Sequence, residues 1–128
     1  MIAIGKKGYR EEIVTSEKCA DHIGSGLAKV LATPMMIALM EQTCNESVVP
    51  ELETGQGTVG THINVSHCAA SPIGMRVWCE SELVEIDRRK LVFKVAAYDE
   101  CGLIGEGTHE RFIIDSAKFQ AKVDAKKG

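Results

Sequence analysis

Residues Thr33–Val49, TPMMIALMEQTCNESVV, are too apolar on every side of their first half to lie on a protein surface, and they read as a helix that the rest of the chain wraps. Thr33 is placed to act as N-cap, its hydroxyl accepting from a free first-turn N–H, and Pro34 at the following position gives up no helical bond. Met35 to Met40 continue without a polar break, so the first two turns are expected to be covered on most sides. Glu41 then falls on the face of Ile37, Cys44 and Val48, which sets a carboxylate in an apolar stripe. Two readings of it stand side by side. It is a boundary residue whose stem packs while its head reaches water, or a functional acid with a perturbed pKa.

Beyond the helix, Pro50 and the ETGQG stretch from Glu53 to Gly57 break the chain, and everything to Asp115 has strand character. In Thr58–Cys68 the residues Val59, Thr61, Ile63 and Val65 alternate on one face, and His67 is the next position on it, as a structural histidine or as a second functional group. Ser71-Pro72-Ile73-Gly74 has the chemistry of a type I turn into the strand Met75–Ile86, whose apolar face is Met75, Val77, Cys79 and Leu83. Trp78 stands on its otherwise polar face. Asp87 to Lys90 form a polar turn, and Leu91, Phe93, Val95 and Ala97 carry the face of the next strand. The last strand, Leu103–Ile114, places Gly105, Gly107, His109 and Arg111 at alternate positions, which strips one side of bulk for a close backbone approach or a ligand. Arg111 itself fits a surface ion pair or a site cation. Asp115 or Ser116 can cap a C-terminal helix with Phe119 and Val123 as its narrow apolar stripe.

Ahead of the central helix, Tyr9–Thr15 reads as a strand, Ser16 or Asp21 can open a short helical turn, and HIGSG around Gly24 and Gly26 suggests a mobile lid. The whole is one α+β domain over residues 1–128, an antiparallel sheet of about five strands curled around one long helix. A net charge of −3 with no strong basic cluster argues against nucleic-acid binding. No apolar run approaches the roughly 20 residues that cross a bilayer, and the N-terminus lacks the parts of a signal peptide, so the expected location is cytoplasmic with no membrane partner. Five cysteines with no CxxC pair indicate neither a disulfide framework nor a zinc site. The usual nucleotide, metalloprotease and serine-hydrolase motifs are absent, and no cofactor or metal is expected.

Three stretches, LMEQTC in the helix, GTHINVSHCAASPIGMRV in the following strand pair, and GEGTHERFIIDSAKFQAKV at the end, resemble the fluoroacetyl-CoA thioesterase group of hotdog thioesterases, in the same order and spacing from Thr33 to Val123. The resemblance implies a homodimer, or a higher oligomer, with its sheets joined side by side and an acyl-CoA site at the interface. It implies Thr33, Glu41 and His67 as the catalytic set, Gly60 as the residue whose backbone N–H faces the thioester oxygen, and Arg111 as an arginine near the site. The chemistry agrees: a thioester carbonyl needs a nucleophile or activated water, a proton acceptor such as imidazole, and a donor where charge develops on oxygen. Glu41 would orient His67 and water, or attack the carbonyl itself. Family members selective for the fluorinated substrate carry phenylalanines in the segment that here contains Gly24 and Leu27. That departure points to a short or medium acyl-CoA, with Leu27 part of a cover over the acyl group. Two alternatives remain at this level: a hotdog acyl-CoA hydratase or dehydratase, and a non-catalytic acyl-CoA binding module.

Overall fold

The computed structural model describes residues 1–128. Strand β1 (Lys7–Ile13) leads through a single 3-10 turn and the short helix α1 (Ala20–Ile23) to the long helix α2 (Thr33–Val48). Four strands follow, β2 (Gln56–His67), β3 (Arg76–Asp87), β4 (Lys90–Asp99) and β5 (Gly102–Asp115), and then a C-terminal helix, α3 (Ser116–Asp124). All strand pairs are antiparallel, in the order β1-β3-β4-β5-β2, so β1 and β2 are the two edges. This is the sheet-around-a-helix arrangement expected from the sequence. No helix is long and apolar enough to cross a membrane.

Helix α2 lies over the inner face of the sheet, mainly across β1 and β3. Met36, Leu39, Met40, Cys44 and Val48 repeat at three- and four-residue spacing and meet Val77, Cys79 and Leu83 of β3, and Leu91, Phe93, Val95 and Ala97 of β4. Full burial of side chains this size stabilises by about 1.5–3 kcal/mol each, so this layer holds the fold together. The helix is less enclosed than its composition implies. Thr33 and Pro34 are exposed, and Ile37, Ala38 and Glu41 are half-buried, because their flank looks past the core toward the open edge strand β2.

Two local expectations are corrected. The N-cap of α2 is Ala32, in extended conformation, and Thr33 is the first helical residue with no capping bond from its side chain. The turn before β3 is closed by the Met75 N–H donating to the Pro72 carbonyl, with Gly74 at φ +92° in its third position. That is type II geometry one residue later than the Ser71–Gly74 reading, and it places the glycine where a left-handed φ is required.

Strand β2 carries the correction that matters most. It pairs with β5 in a register that matches Gly60 with Arg111 and His62 with Glu110, leaving Thr61 as an extra residue in a bulge. The side-chain alternation therefore changes phase at Thr61. Gly60 is opposite the inward-facing Arg111, and beyond the bulge Ile63, Val65 and His67 are opposite His109, Gly107 and Gly105 on the same inner side. Val59, opposite the exposed Phe112, belongs to the outer face, so the uninterrupted run Val59-Thr61-Ile63-Val65-His67 does not exist. The bulk-free side of β5 is filled by protein. A Cβ on Gly105 would sit 2.6 Å from Met36 Sδ, and one on Gly107 would meet the backbone of Asn64 and Val65.

On the outer face, Trp78 packs edge-on against Tyr98 at 5.8 Å and under the Arg76 guanidinium at 4.1 Å. Asp115 caps α3 by accepting from the Lys118 N–H, while Phe119 and Val123 remain partly exposed. All five cysteines are free, with Cys19, Cys44 and Cys79 buried.

Candidate active site

The inner end of β2 and the start of α2 bring together the first pair of expected residues. Thr33 Oγ1 lies 2.7 Å from His67 Nδ1. That contact explains the missing N-cap: rotated into the first turn of the helix, the hydroxyl faces the histidine and not its own backbone. His67 Nε2 is buried and has no hydrogen-bond partner. Burial pushes the imidazole below its ordinary value of 6.5, opposed by the Ala69 backbone, which as an acceptor favours the protonated ring. The ring is therefore neutral near pH 7, and in its Nε2–H tautomer Nδ1 accepts from the threonine hydroxyl, the geometry of a hydroxyl beside its base. The pair borders a cavity of about 310 Å³ lined otherwise by small and apolar groups, among them Val30, Leu31, Ala69 and Ala70.

A second constellation lies further along the same strand. Glu41 Oε1 is 3.6 Å from Arg111 Nη1, an ion pair too long to count as a hydrogen bond. Arg111 is almost fully buried, while the Glu41 side chain remains 42% exposed, so the cation is fixed and the carboxylate can still meet a ligand. The guanidinium is held from three sides: Nε donates to Thr58 Oγ1 at 2.8 Å, Nη2 to the Thr58 carbonyl at 3.1 Å, and Nη1 approaches His109 Nε2 at 3.1 Å. Thr58 in turn donates to Asn45 Oδ1 at 2.6 Å, which ties β2 to α2. Gly60 completes the group. A Cβ there would lie 2.8 Å from Glu41 Oε1, 3.2 Å from His109 Cε1 and 3.3 Å from Arg111 Nη1, so any side chain at this position would displace the Glu41 carboxylate. Glu41, Gly60, Ile63 and His109 border a cavity of about 360 Å³.

Five of the six expected site residues thus fall into two groups, Thr33 with His67 and Glu41 with Gly60 and Arg111. Within one chain each group borders its own cavity. Leu27 belongs to neither: it is 96% exposed, although its neighbours Ser25 and Val30 line the Thr33–His67 cavity. The segment that carries it is tied down at its base, where the Ala20 N–H donates to the Val30 carbonyl and Cys19 bridges to Leu31. Sequence reasoning passed over His109, Thr58 and Asn45. The alternation of His109 with Arg111 was a usable signal for the first, since it sets both on one face. Nothing in the sequence pairs Thr58 with Asn45, because that contact exists only once β2 lies beside α2.

The model of the fluoroacetyl-CoA-specific thioesterase family FlK matches residues 14–117. The chain belongs to this family of thioester hydrolases. A fluoroacetyl-CoA thioesterase of Streptantibioticus cattleyicolor is 37% identical over 96% of this chain and 93% of its own length. A variant of the fluoroacetyl-CoA thioesterase FlK, solved in complex with acetyl-CoA, superposes with a TM-score of 0.94 at 35% identity, covering 99% of this chain and all of the other. A hot-dog-like protein from Thermanaerovibrio acidaminovorans shares the fold at a TM-score of 0.90 and 19% identity, over 99% of this chain and 94% of that one. The hotdog fold and thioesterase family expected from the three motif stretches are both borne out.

Proposed function

We propose that the protein is an acyl-CoA thioesterase that hydrolyses a short or medium acyl-CoA to the free acid and CoA, acting as a homodimer in the cytoplasm. The observation that carries the reading is the 2.7 Å contact of Thr33 Oγ1 with the neutral His67 imidazole at the edge of a small apolar cavity. The acyl group occupies that cavity, His67 moves the proton, and Thr33 holds the water or the substrate oxygen. Glu41, partly exposed and anchored by Arg111, supplies the carboxylate that activates water or attacks the thioester. The backbone N–H of Gly60 faces the oxygen on which charge develops.

Two features favour the dimer. Strand β2 is a twelve-residue edge with one side unpaired, a liability unless another strand covers it. Antiparallel pairing of β2 with its own copy also sets the Gly60 end of one strand toward the His67 end of the other, which would unite the two constellations across the interface. The five free thiols are in keeping with a reducing compartment.

Release of CoA thiol from a panel of acyl-CoAs tests the activity, with the Glu41→Ala, His67→Ala double variant as reference. The hydrolase reading fails if no panel member is turned over faster by the wild-type protein than by that variant. Sedimentation tests the assembly, and a stable monomer at micromolar concentration would remove the two-subunit site.

A further inference from the structure

His109 is fully buried on β5, stacked on Phe93 with ring centroids 6.4 Å apart, and both of its ring nitrogens are engaged. Nδ1 lies 2.8 Å from the His62 carbonyl oxygen, which can only accept, so Nδ1 carries the hydrogen. Nε2 lies 3.1 Å from Arg111 Nη1, which can only donate, so Nε2 presents its lone pair. One state of the ring satisfies both neighbours, the neutral Nδ1–H tautomer. A protonated ring would aim an N–H at the guanidinium. Burial, reinforced by the Arg111 charge, opposes that state and lowers the His109 pKa, against the backbone bond to His62 and the charges of Glu41 and Glu110.

The consequence reaches Glu41. Thr58 fixes Nε and Nη2 of Arg111, and His109 takes a hydrogen of Nη1, the same nitrogen that faces Glu41 Oε1 at 3.6 Å. Without an acceptor at His109 Nε2, Nη1 would have a buried, unsatisfied N–H, and the guanidinium could turn about its remaining contacts with Thr58. We propose that His109 is a positioning residue: as a neutral hydrogen-bond acceptor buried beneath the site, it orients Arg111 so that Nη1 holds the Glu41 carboxylate over the backbone of Gly60. The proposal rests on the thioesterase reading above, and it gives the histidine a role through Arg111 and Glu41 without contact to substrate.

Two variants separate this role from a merely structural one. His109→Gln puts an amide oxygen near the position of Nε2 and keeps an acceptor for Arg111. His109→Asn puts its amide near Nδ1, keeping the donor to the His62 carbonyl while losing that acceptor. With an acyl-CoA that the wild-type protein hydrolyses, Asn is expected to lower kcat by about tenfold or more with KM little changed, as when an interaction acting on the chemical step is lost. Gln is expected to recover most of the kcat that Asn loses, although both shorten the packing against Phe93. In the wild-type protein, nitrogen-15 spectra of the imidazoles should show His109 with hydrogen on Nδ1 and a bare Nε2 at neutral pH. Equal losses of kcat in the two variants, accompanied by equal losses of thermal stability, would reduce His109 to a packing residue and overturn the proposal. So would a spectrum with hydrogen on Nε2. Wild-type turnover reports on the hydrolase reading by itself, so its absence would be seen before any variant is compared and would remove the proposed role with it.

Discussion

Gly60→Ala tests the crowded group around Glu41 with one methyl. The added Cβ would lie 2.8 Å from Glu41 Oε1, and ordinary contact begins near 3.4 Å, so the carboxylate must retreat by about 0.6 Å. It can do so, because the Glu41 side chain is unbranched and partly exposed. The other two neighbours have less freedom to move. His109 Cε1 at 3.2 Å and Arg111 Nη1 at 3.3 Å belong to buried groups held by hydrogen bonds, and each needs to yield by only a tenth or two of an ångström. Strain in the fold should therefore fall at or below the lower end of the usual overpacking range, about 1 kcal/mol. For a chain of this length that corresponds to about 3–5 °C in Tm. The functional cost is set by the displaced carboxylate, and misplacing a reacting group by an ångström can cost about 10²-fold. Thermal melting and CoA-thiol release, measured on the same preparation, should thus show a Tm only slightly lowered beside a kcat/KM reduced by about one to two orders of magnitude. Unchanged kcat/KM with a melting point lowered by ten degrees would refute the reasoning, because it would mean that the glycine serves backbone packing and that Glu41 has no part in turnover.

Thr33→Ala should leave Tm nearly unchanged, since the hydroxyl caps no N–H of α2, whereas loss of a working N-cap costs about 1 kcal/mol. The same variant should lower kcat by about 10²-fold or more if the His67 contact serves the reaction. His67 and His109 both have pKa values lowered by burial, so the unfolded chain binds more protons as pH falls through 6.5; stability is fully present above that value and is lost as pH drops toward the folded-state values. Chemical denaturation at a series of pH values should show this decline, and it should be shallower in His109→Gln. Ala69→Leu fills part of the Thr33–His67 cavity and should reduce turnover of longer acyl-CoAs more than that of acetyl-CoA, each excluded methylene being worth about 1–3 kcal/mol. Iodoacetamide at pH 8 should label Cys68 and Cys101 in the folded protein and spare Cys19, Cys44 and Cys79, the thiols of Cys44 and Cys79 being pushed by burial to about 12 and about 11; mass spectrometry of the peptides decides it.

The order of elements, the buried stripe of α2 and the alternation of β3 and β4 were legible because each depends on the periodicity of its own segment. Thr33 shows where that ends. Threonine before proline at the head of an apolar run is an N-cap by every local criterion, and Pro34 does lie in the first turn. Yet the hydroxyl has a competing partner 34 residues away in His67, and the helix begins one residue earlier to release it. A local rule gives way here because the better acceptor arrives only through tertiary structure.

Strand β2 makes the same point with a simpler geometry. Gly60 and His67 are seven positions apart, an odd number, so in an unbroken strand of period two they would point to opposite faces and could not serve one inner surface. Both do face inward, because Thr61 is an extra residue in the bulge and restores even parity between them. Reading His67 onto the inner face and carrying the alternation back through Thr61 and Val59 necessarily sends Gly60 outward. The close approach of Gly60 to Glu41, His109 and Arg111 forbids that placement. The bulge is therefore the device that lets one edge strand serve two constellations of side chains, each with its own cavity, from a single exposed length of backbone. Deleting Thr61 would leave Gly60 and His67 six positions apart, and regular pairing with Arg111 and Gly105 would still set both toward α2, so the bulge is what accommodates the extra residue, whose own side chain points to solvent.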